Sequence, residues 1–177
     1  MVYLILLIKY GGQMKNQVIK NDLGFITWYE DDKLSIYFST MPCVAVRYIT
    51  PSNTNEERQS IKRFPFINKR ELKVQLQDKK KGKVYNFAVP KGYCYDGASI
   101  PRIFWRLIGA NTDNSFLIPA LIHDVMCENH GYIDNDRSFS TEVFNALLYV
   151  EDVGRCKRFL MKNSVACFQT LFAGWKK

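Results

Sequence analysis

The chain has 177 residues, of which 47% are hydrophobic and 14% are aromatic. This length fits one domain with its own core, and this composition excludes intrinsic disorder. The formal net charge of +8 admits a nucleic acid, an anionic membrane or an acidic protein as partner without choosing between them. A solvated basic surface is the simpler interpretation, because no basic helix with interleaved aromatic residues is evident.

The five cysteines are odd in number and scattered, with no CxxC spacing and no histidine at zinc-finger distance. We expect reduced, mostly buried thiols, which are typical of a cytoplasmic protein. They are Cys43, Cys94, Cys127, Cys156 and Cys167.

The amino-terminal apolar run from Val2 to Ile8 is shorter than the roughly 20 residues that a membrane span needs, and it has no basic leader or cleavage site. We expect no transmembrane segment there. The codons of "YGGQM" can include a purine-rich GGAGG shortly before an ATG. We therefore expect residues 1–13 to be a translated ribosome-binding region and Met14 to start a single domain of residues 14–177. A native peptide covering residues 2–13 in a mass spectrum would contradict this.

Five segments between residue 24 and about residue 97 are rich in β-branched and aromatic residues and predict strands. They are "FITWY", "LSIYF", "VAVRYIT", "LKVQLQ" and "KVYNFAV". The polar segment "QDKKKGK" between the last two predicts a hairpin with a charged tip.

The hydrophobic pattern becomes helical after Pro101. "IPRIFWRLIG" predicts a short helix closed by Gly109, and "NSFLIPALIHDVMCEN" predicts a longer helix capped by Asn114 or Ser115. Pro119 costs least if that longer helix begins close to it.

Two further amphipathic helices are predicted by "DRSFSTEVFNALLYV" and "GRCKRFLMKNSVACFQTLFAGW". The first would place Phe139, Val143, Phe144, Leu147 and Leu148 on one face. Strands followed by helices predict an α+β domain, mainly β over residues 14–97 and mainly α over residues 98–177. We expect an antiparallel sheet of about five strands packed against about four helices.

The segment "VPKGYCYDGASIPR", residues 89–102, lies where strands give way to helices. Its prolines and glycines predict an ordered turn. Asp96 is placed to accept backbone hydrogen bonds in that turn, and Ser99 is placed to cap the following helix. This structural interpretation explains both residues without catalysis.

The segment "LIHDVMCENHGY" holds both histidines of the chain, His123 and His130. Neighbouring residues on a helix point about 100° apart, so we do not expect Asp124 to orient the His123 ring directly. An aspartate from another element, such as Asp96, is a better partner. A hydrogen-bonded core histidine explains His123 without chemistry, whereas a histidine held by a carboxylate can activate a water or hydroxyl near neutral pH.

Both clusters, followed by "DRSFSTEVFNALL" and a closing helix ending in "FAGWKK", resemble the domain-of-unknown-function family 1353, small proteins encoded largely by phages and prophages. The family pattern combines D-x-A-S-x-P, a helix with H-D-x-x-Y and a helix with R-x-x-x-D-x-x-F. The resemblance covers about residues 85–177 and implies a phage or prophage origin and a site, but no reaction. The matching residues are Asp96, Ala98, Ser99, Pro101, His123, Asp124, Arg137 and Phe144.

The chain departs from this pattern at two positions. Cys127 stands where the family usually has tyrosine, and Thr141, beside Glu142, stands where it has an acid. If the family's histidine pairs with that acid, this chain must use Glu142, Asp136 or Asp96 instead, or it has no catalytic pair. We recognise no family resemblance in residues 14–84.

The first functional hypothesis is a hydrolase of an ester, an amide or a phosphodiester. His123 would be the general base, with Asp96 or Glu142 orienting it and Ser99 as a hydrogen-bond donor or nucleophile. Asp124 would be a catalytic group or a metal ligand. Arg102, Arg137 and Tyr95 are expected to bind substrate.

A cofactor is suggested by analogy alone. The arrangement of His123–Asp124 is similar to the His-Asp pair of secreted phospholipases, which use calcium. A divalent cation such as Ca²⁺ would need oxygen ligands, and Asp124, Asp96 and carbonyls of the "YDGAS" turn are the evident suppliers. The sequence predicts no dedicated metal site.

The second hypothesis is a non-enzymatic phage virion, assembly or host-factor-binding protein. The same polar residues would then form a buried hydrogen-bond network, and the basic surface would contact a phage or host protein. Nucleic-acid binding is a third and weaker alternative. In either of the first two cases the expected location is the host bacterial cytoplasm or the virion.

Overall fold

The computed structural model describes residues 8–10, 13–15, 24–97 and 114–171, with side chains for residues 24–97 and 114–167. The predicted helix "IPRIFWRLIG" and the candidate residues Ser99 and Arg102 lie outside these segments. Strands β1 (Ile8–Tyr10) and β2 (Gln13–Lys15) form an antiparallel pair in which Lys9 lies opposite Met14.

The main sheet contains four of the five predicted strands. They are β3 (Ile26–Glu30), β4 (Leu34–Phe38), β7 (Leu72–Asp78) and β8 (Lys83–Val89), arranged antiparallel in the order β3-β4-β7-β8. In β7, Leu72, Val74 and Leu76 are at most 1% exposed while the residues between them are less buried. This alternation is the pattern of a sheet with one face packed on a core.

A second antiparallel sheet has the order β5-β6-β9, formed by β5 (Val44–Val46), β6 (Phe66–Asn68) and β9 (Cys94–Tyr95). The predicted strand "VAVRYIT" therefore ends at Val46 and belongs to this sheet. Between β5 and β6 lies helix α1 (Asn55–Arg63), which the sequence analysis missed. The sequence signal for this helix is its capping box, in which the Thr54 side chain accepts from the Glu57 amide and the Glu57 side chain accepts from the Thr54 amide.

The α+β class is confirmed, because four further helices follow the strands within the described residues. They are α2 (Asn114–Glu128), α3 (His130–Ile133), α4 (Arg137–Val150) and α5 (Arg155–Leu171). All five α4 residues predicted to share a face are at most 3% exposed. The ring of Phe139 stacks on Tyr85 of β8 at 4.8 Å between centroids, so the helical layer packs directly on the sheet.

Helix α2 starts earlier than expected. It already includes Asn114 and Ser115, so neither residue caps it, and Pro119 lies inside it. Proline has no N–H to donate at that position, which normally destabilises a helix interior. Leu117, Ala120 and Leu121 around it are buried, and tertiary packing outweighs the local penalty.

The β7–β8 hairpin tip is not a free basic surface. The Asp78 carboxylate accepts hydrogen bonds from the Lys80 and Lys81 amides and forms the turn. Each tip lysine then reaches an acid elsewhere in the fold. The pairs are Lys79–Glu30 at 2.9 Å, Lys80–Glu142 at 3.1 Å, Lys81–Asp136, and Lys83–Asp134 at 3.1 Å.

The acids that receive these lysines lie mostly on the helical layer. Asp136 is the N-cap of α4, where its carboxylate accepts a hydrogen bond from the Phe139 amide at 2.7 Å. Partial desolvation alone would raise the pKa of Asp136, but the hydrogen bonds from Lys81 and the Phe139 amide outweigh it and lower that pKa. The hairpin is thus joined by charge to the start of α4.

All five cysteines are free thiols, as expected, but the expectation that they are mostly buried is wrong. Cys43, Cys94 and Cys127 are half-buried, and Cys156 and Cys167 are exposed. Within the described segments, no helix combines the length and the apolar character needed to cross a membrane.

The N-cap role of Asp136 is testable. Replacing Asp136→Ala removes both the cap and the ion pair, and should lower the free energy of unfolding by about 1–2 kcal/mol. Asp136→Asn keeps a capping oxygen and loses only the partly exposed pair with Lys81, so its loss should be under about 1 kcal/mol. Urea denaturation at neutral pH measures both values.

The matched control is Asp134→Asn. Asp134 also pairs with a tip lysine, but its side chain is 86% exposed and it caps the end of α3 in a left-handed conformation that asparagine tolerates. Equal losses for Asp136→Asn and Asp136→Ala would show that the capping hydrogen bond is not what stabilises α4.

Candidate functional site

Helix α2 carries the polar residues of the site on an otherwise apolar element. Its charged residues are Asp124 and Glu128, and His123 and Cys127 share their part of the helix. The residues between them, including Val125 and Met126, are at most 3% exposed and pack into the core. We call His123, Asp124, Cys127 and Glu128 the α2 cluster.

The chain that leads into the site is fixed by Asn68 of β6. Its fully buried side-chain amide donates hydrogen bonds to the carbonyls of Val89, at 3.3 Å, and Pro90, at 3.0 Å. The Asn68 backbone also bonds to Tyr93 and Gly92. Gly92 has a φ of +91°, a conformation that glycine adopts without strain. These contacts set the position of residues 93–97, which we call the β9 turn.

Two tyrosines connect the β9 turn to α2. The Tyr95 hydroxyl donates to the carbonyl of Leu117 at 3.0 Å, and the Tyr93 hydroxyl donates to the Glu128 carboxylate at 2.6 Å. Burial raises the pKa of both phenols, and the hydrogen bond to Glu128 raises that of Tyr93 further. Both therefore stay protonated donors, and the turn is held against the helix at two points.

Tyr95 was expected to bind substrate, and its position does not suit that role. The residue is 2% exposed, its ring packs on Phe66, and its hydroxyl is already bonded to the Leu117 carbonyl. Tyr95 instead forms part of the support beneath the α2 cluster.

Asp124 has an unfavourable environment for a carboxylate. Burial, and then the negative charges of Asp96 and Glu128, raise the pKa of Asp124 well above its usual value. Among the described residues no group donates a hydrogen bond to its carboxyl oxygens. Asp96 and Glu128 are exposed, and the Asp124 side chain itself keeps 18% exposure, so solvent reaches this position.

Three side chains lie close to the His123 ring, namely those of Asp124, Cys127 and Phe144. Its Nδ1 atom is 3.7 Å from Oδ1 of Asp124, its Nε2 atom is 3.5 Å from Sγ of Cys127, and its centroid is 5.2 Å from that of Phe144. The 3.7 Å separation is too long for a hydrogen bond, in agreement with the expected divergence of adjacent helix residues. It is nevertheless short enough for the carboxylate to attract a protonated imidazole.

The acids proposed as substitutes on α4 are not near the imidazole. Glu142 pairs with Lys80, and it lies two residues before Phe144, on nearly the opposite side of α4 from the ring that contacts His123. Asp136 caps the helix and pairs with Lys81. Of the three candidates, only Asp96 is brought to the α2 cluster, through its charge on Asp124.

Thr141 and Arg137 are the two other α4 residues that the sequence singled out. Thr141, which replaces the family's acid, is 5% exposed and donates its hydroxyl hydrogen to the Arg137 carbonyl at 3.0 Å. Arg137, the expected substrate-binding residue, is exposed at the first turn of α4. It lies two helical turns, about 10 Å, from Phe144.

In the part of the chain that the structure describes, no three His, Cys, Asp or Glu side chains are grouped so as to hold a metal ion. Calcium binding therefore stays a prediction. A surface cavity of about 470 Å³ lies elsewhere, between the first turn of α2 and residues 151–157, which connect α4 to α5 and begin α5. It contains no residue of the α2 cluster.

Sequence reasoning missed three residues of this region. Tyr93, Cys127 and Glu128 were not proposed as site residues, although Cys127 and Glu128 follow His123 and Asp124 by four positions each. Residues four apart lie on the same side of a helix, so this spacing was a usable signal. Tyr93 carried no comparable pattern.

Comparison with known proteins gives a family without an assigned reaction. The family model described as "Protein of unknown function (DUF1353)" matches residues 71–165, more than half of the chain. The match begins at β7, so it includes the β7–β8 hairpin, which the resemblance based on residues 85–177 left partly outside.

One curated relative is the "Uncharacterized protein y4jT" of Sinorhizobium fredii (strain NBRC 101917 / NGR234), 42% identical over 48 residues. The matched segment is 27% of this chain but only 14% of that relative's length. No solved structure matches the chain. The family match, over β7 to the middle of α5, identifies the chain as a member of the protein family of unknown function DUF1353.

Proposed function

We propose that the chain is a hydrolase whose site lies between the α2 cluster and the β9 turn. The observation that carries this proposal is the environment of Asp124. A carboxyl group that is mostly buried, faces two other carboxylates and receives no hydrogen bond from the described residues destabilises the fold. Such arrangements concentrate at functional sites.

The alternative of a purely structural polar network fits Asp124 less well. A network that stabilises the turn would give each buried polar group a hydrogen-bond partner, as the Asn68 Nδ2 atom and the Tyr95 hydroxyl have. Asp124 instead faces the exposed Asp96 and Glu128 and is reached by solvent. Its environment is that of a group that exchanges protons.

The residues divide the chemistry as follows. His123 is the general base that removes a proton from the attacking nucleophile, since its ring has two nitrogens near polar groups and keeps 11% exposure. Asp124, whose raised pKa favours its protonated form, donates a hydrogen bond or a proton to the substrate atom that becomes negative. Once protonated, His123 lies 3.7 Å from Asp124 and favours the ionised carboxyl, so the two groups exchange charge during turnover.

The basic surface contributes less to this proposal than the net charge suggests. Four lysines of the hairpin tip are paired with acids, which reduces the positive potential available to a nucleic acid.

A phage or prophage origin, and a location in the host cytoplasm or the virion, are inferred from the family resemblance. Neighbouring lysis, tail or anti-defence genes would support this origin, and a gene without phage neighbours would count against it.

Hydrolysis by the full chain is the direct test. We expect activity at neutral pH on at least one of p-nitrophenyl butyrate, a peptide p-nitroanilide and bis(p-nitrophenyl) phosphate. His123→Ala should lower kcat/KM by about 10²–10⁴, the contribution of a general base. Thermal melting and circular dichroism should show that the variant is folded, and His123→Gln provides a second variant if alanine destabilises the helix.

His130→Ala is the matched control. His130 lies seven residues further along, and its Nδ1 atom is 2.9 Å from the Cys127 carbonyl, at the end of α2. Its replacement should leave kcat/KM nearly unchanged. A wild-type chain inert on all three substrates, or a His123→Ala variant with full activity, would favour the non-enzymatic phage protein instead.

The placement of the Asp124 carboxyl group should also lower the stability of the folded protein in a pH-dependent way. Below the ordinary pKa of aspartate, about 3.9, the group is protonated in both the folded and the unfolded chain, so Asp124→Asn should change little. As the pH rises from about 3.9 to the raised folded-state pKa, the wild type loses stability and the variant does not. Each pH unit between the pKa of Asp124 in the unfolded chain and its raised pKa in the folded chain lowers the free energy of unfolding by about 1.4 kcal/mol.

Urea denaturation at about pH 4 and pH 8 checks this prediction. Asp124→Asn should be more stable than the wild type at pH 8 and nearly equal to it at pH 4, while losing about 10² in kcat/KM. Asp134→Asn, at an exposed site, should show neither effect. A variant that is less stable than the wild type at pH 8 would identify Asp124 as a structural acid.

A further inference from the structure

Cys127 lies within bonding distance of the candidate base. It follows His123 by four residues on α2, so the two side chains lie on the same side of the helix. The Sγ atom is 3.5 Å from Nε2 and 3.8 Å from Nδ1 of His123. These separations suit a hydrogen bond to sulfur, which is longer than one between nitrogen and oxygen.

The Asp124 carboxyl group is also close to the imidazole. Oδ1 of Asp124 is 3.7 Å from Nδ1, while Sγ of Cys127 is nearer to Nε2. A nucleophile within hydrogen-bond reach of a base is the general arrangement of nucleophilic catalysis in proteins. Cys127 is half-buried.

We propose that Cys127 is the nucleophile of this site, with His123 as its base, and that the substrates are uncharged or cationic acyl compounds. This inference rests on the proposed location of the hydrolase site. It adds a catalytic residue to that site and restricts its substrates to esters, thioesters and amides.

The chemistry balances without a cofactor. The Cys127 thiol gives its proton to Nε2 of His123, and the thiolate attacks the acyl carbon. The tetrahedral intermediate collapses, the bond to the leaving group breaks, and His123 returns the proton to the departing alcohol, thiol or amine. His123 then removes a proton from water, the resulting hydroxide attacks the thioester, and the acid product leaves as Cys127 is reprotonated.

The substrate class follows from sulfur chemistry and charge. A cysteine thiolate forms thioesters readily with acyl carbons. The negative charges of Asp96 and Glu128 act on Asp124 at this site and disfavour anionic substrates such as phosphodiesters. An uncharged or positively charged acyl compound avoids this repulsion.

Alkylation with iodoacetamide tests the thiol-imidazole pair directly. Rates are measured from about pH 6 to pH 8.5, and peptide mapping by mass spectrometry separates the five cysteines. Cys167, exposed on α5, serves as the internal reference. An ordinary thiol loses about tenfold in reactive thiolate for each pH unit below about 8.5. The ratio of the Cys127 rate to the Cys167 rate should therefore rise at least about tenfold as the pH falls to 6.

Two variants test whether the His123–Cys127 pair causes the rise in the alkylation-rate ratio. His123→Gln should abolish it, because no imidazolium remains to stabilise the thiolate, whereas His130→Ala should retain it. The shape of the pH profile is compared rather than the absolute rate, so a change in the exposure of Cys127 does not affect the result. A Cys127 profile parallel to that of Cys167 in the wild type would overturn the proposal.

Acyl transfer provides the second measurement. After reaction with p-nitrophenyl acetate and acid quenching, peptide mapping should place one acetyl group on Cys127 in the wild type and none there in His123→Gln. Cys127→Ser and Cys127→Ala should each lose at least about 10² in esterase kcat/KM while remaining folded.

These outcomes separate the inference from the proposed function. If His123→Gln abolishes ester hydrolysis but Cys127→Ala does not, the hydrolase stands and the role of Cys127 falls. If the alkylation profile shifts but no acetyl group is transferred and no substrate is hydrolysed, both the nucleophile and the hydrolase are rejected. An acetyl group on another residue would reject Cys127 alone.

Discussion

The structure depends on the hydrogen bonds that hold the β9 turn against α2. Tyr95 reaches the Leu117 carbonyl on an early turn of the helix, and Tyr93 reaches the Glu128 carboxylate at its end. Without them the short strand β9, only two residues long, would have little to fix its distance from the helical layer. These two bonds bring Asp96, on the sheet side, into electrostatic range of Asp124.

The candidate site combines a tightly packed support with an unfavourable arrangement of charges. Asn68, Tyr95 and the core residues of α2 are buried and bonded, whereas Asp124 is placed where its charged form is disfavoured. Tight packing around a group allows such an unfavourable placement to persist, because the surroundings cannot relax to relieve it. A carboxyl and an imidazole 3.7 Å apart can then change charge without a large movement of either side chain.

The class and most elements of the fold were predictable because their signals are local. Alternation in β7 and β8, and the apolar face of α4, are set by residues a few positions apart. The division into two sheets was not predictable, because it depends on β6 pairing with both β5 and β9. The site shows the same division: the α2 residues could be found by helix spacing, but the neighbours of Asp124 come from pairing across the fold. The exclusion of Glu142 likewise required knowing that Lys80 reaches it.

The paired lysines of the hairpin tip also bear on how this fold can be divided. The sequence suggested a β half and an α half meeting near residue 97, yet Lys80, Lys81 and Lys83 of the hairpin bond to acids of the helical region. A cut between the two halves would separate these charges and leave the start of α4 without its counterions. The hairpin and the helices therefore form one structural unit, and the family match from residue 71 to residue 165 covers both of them.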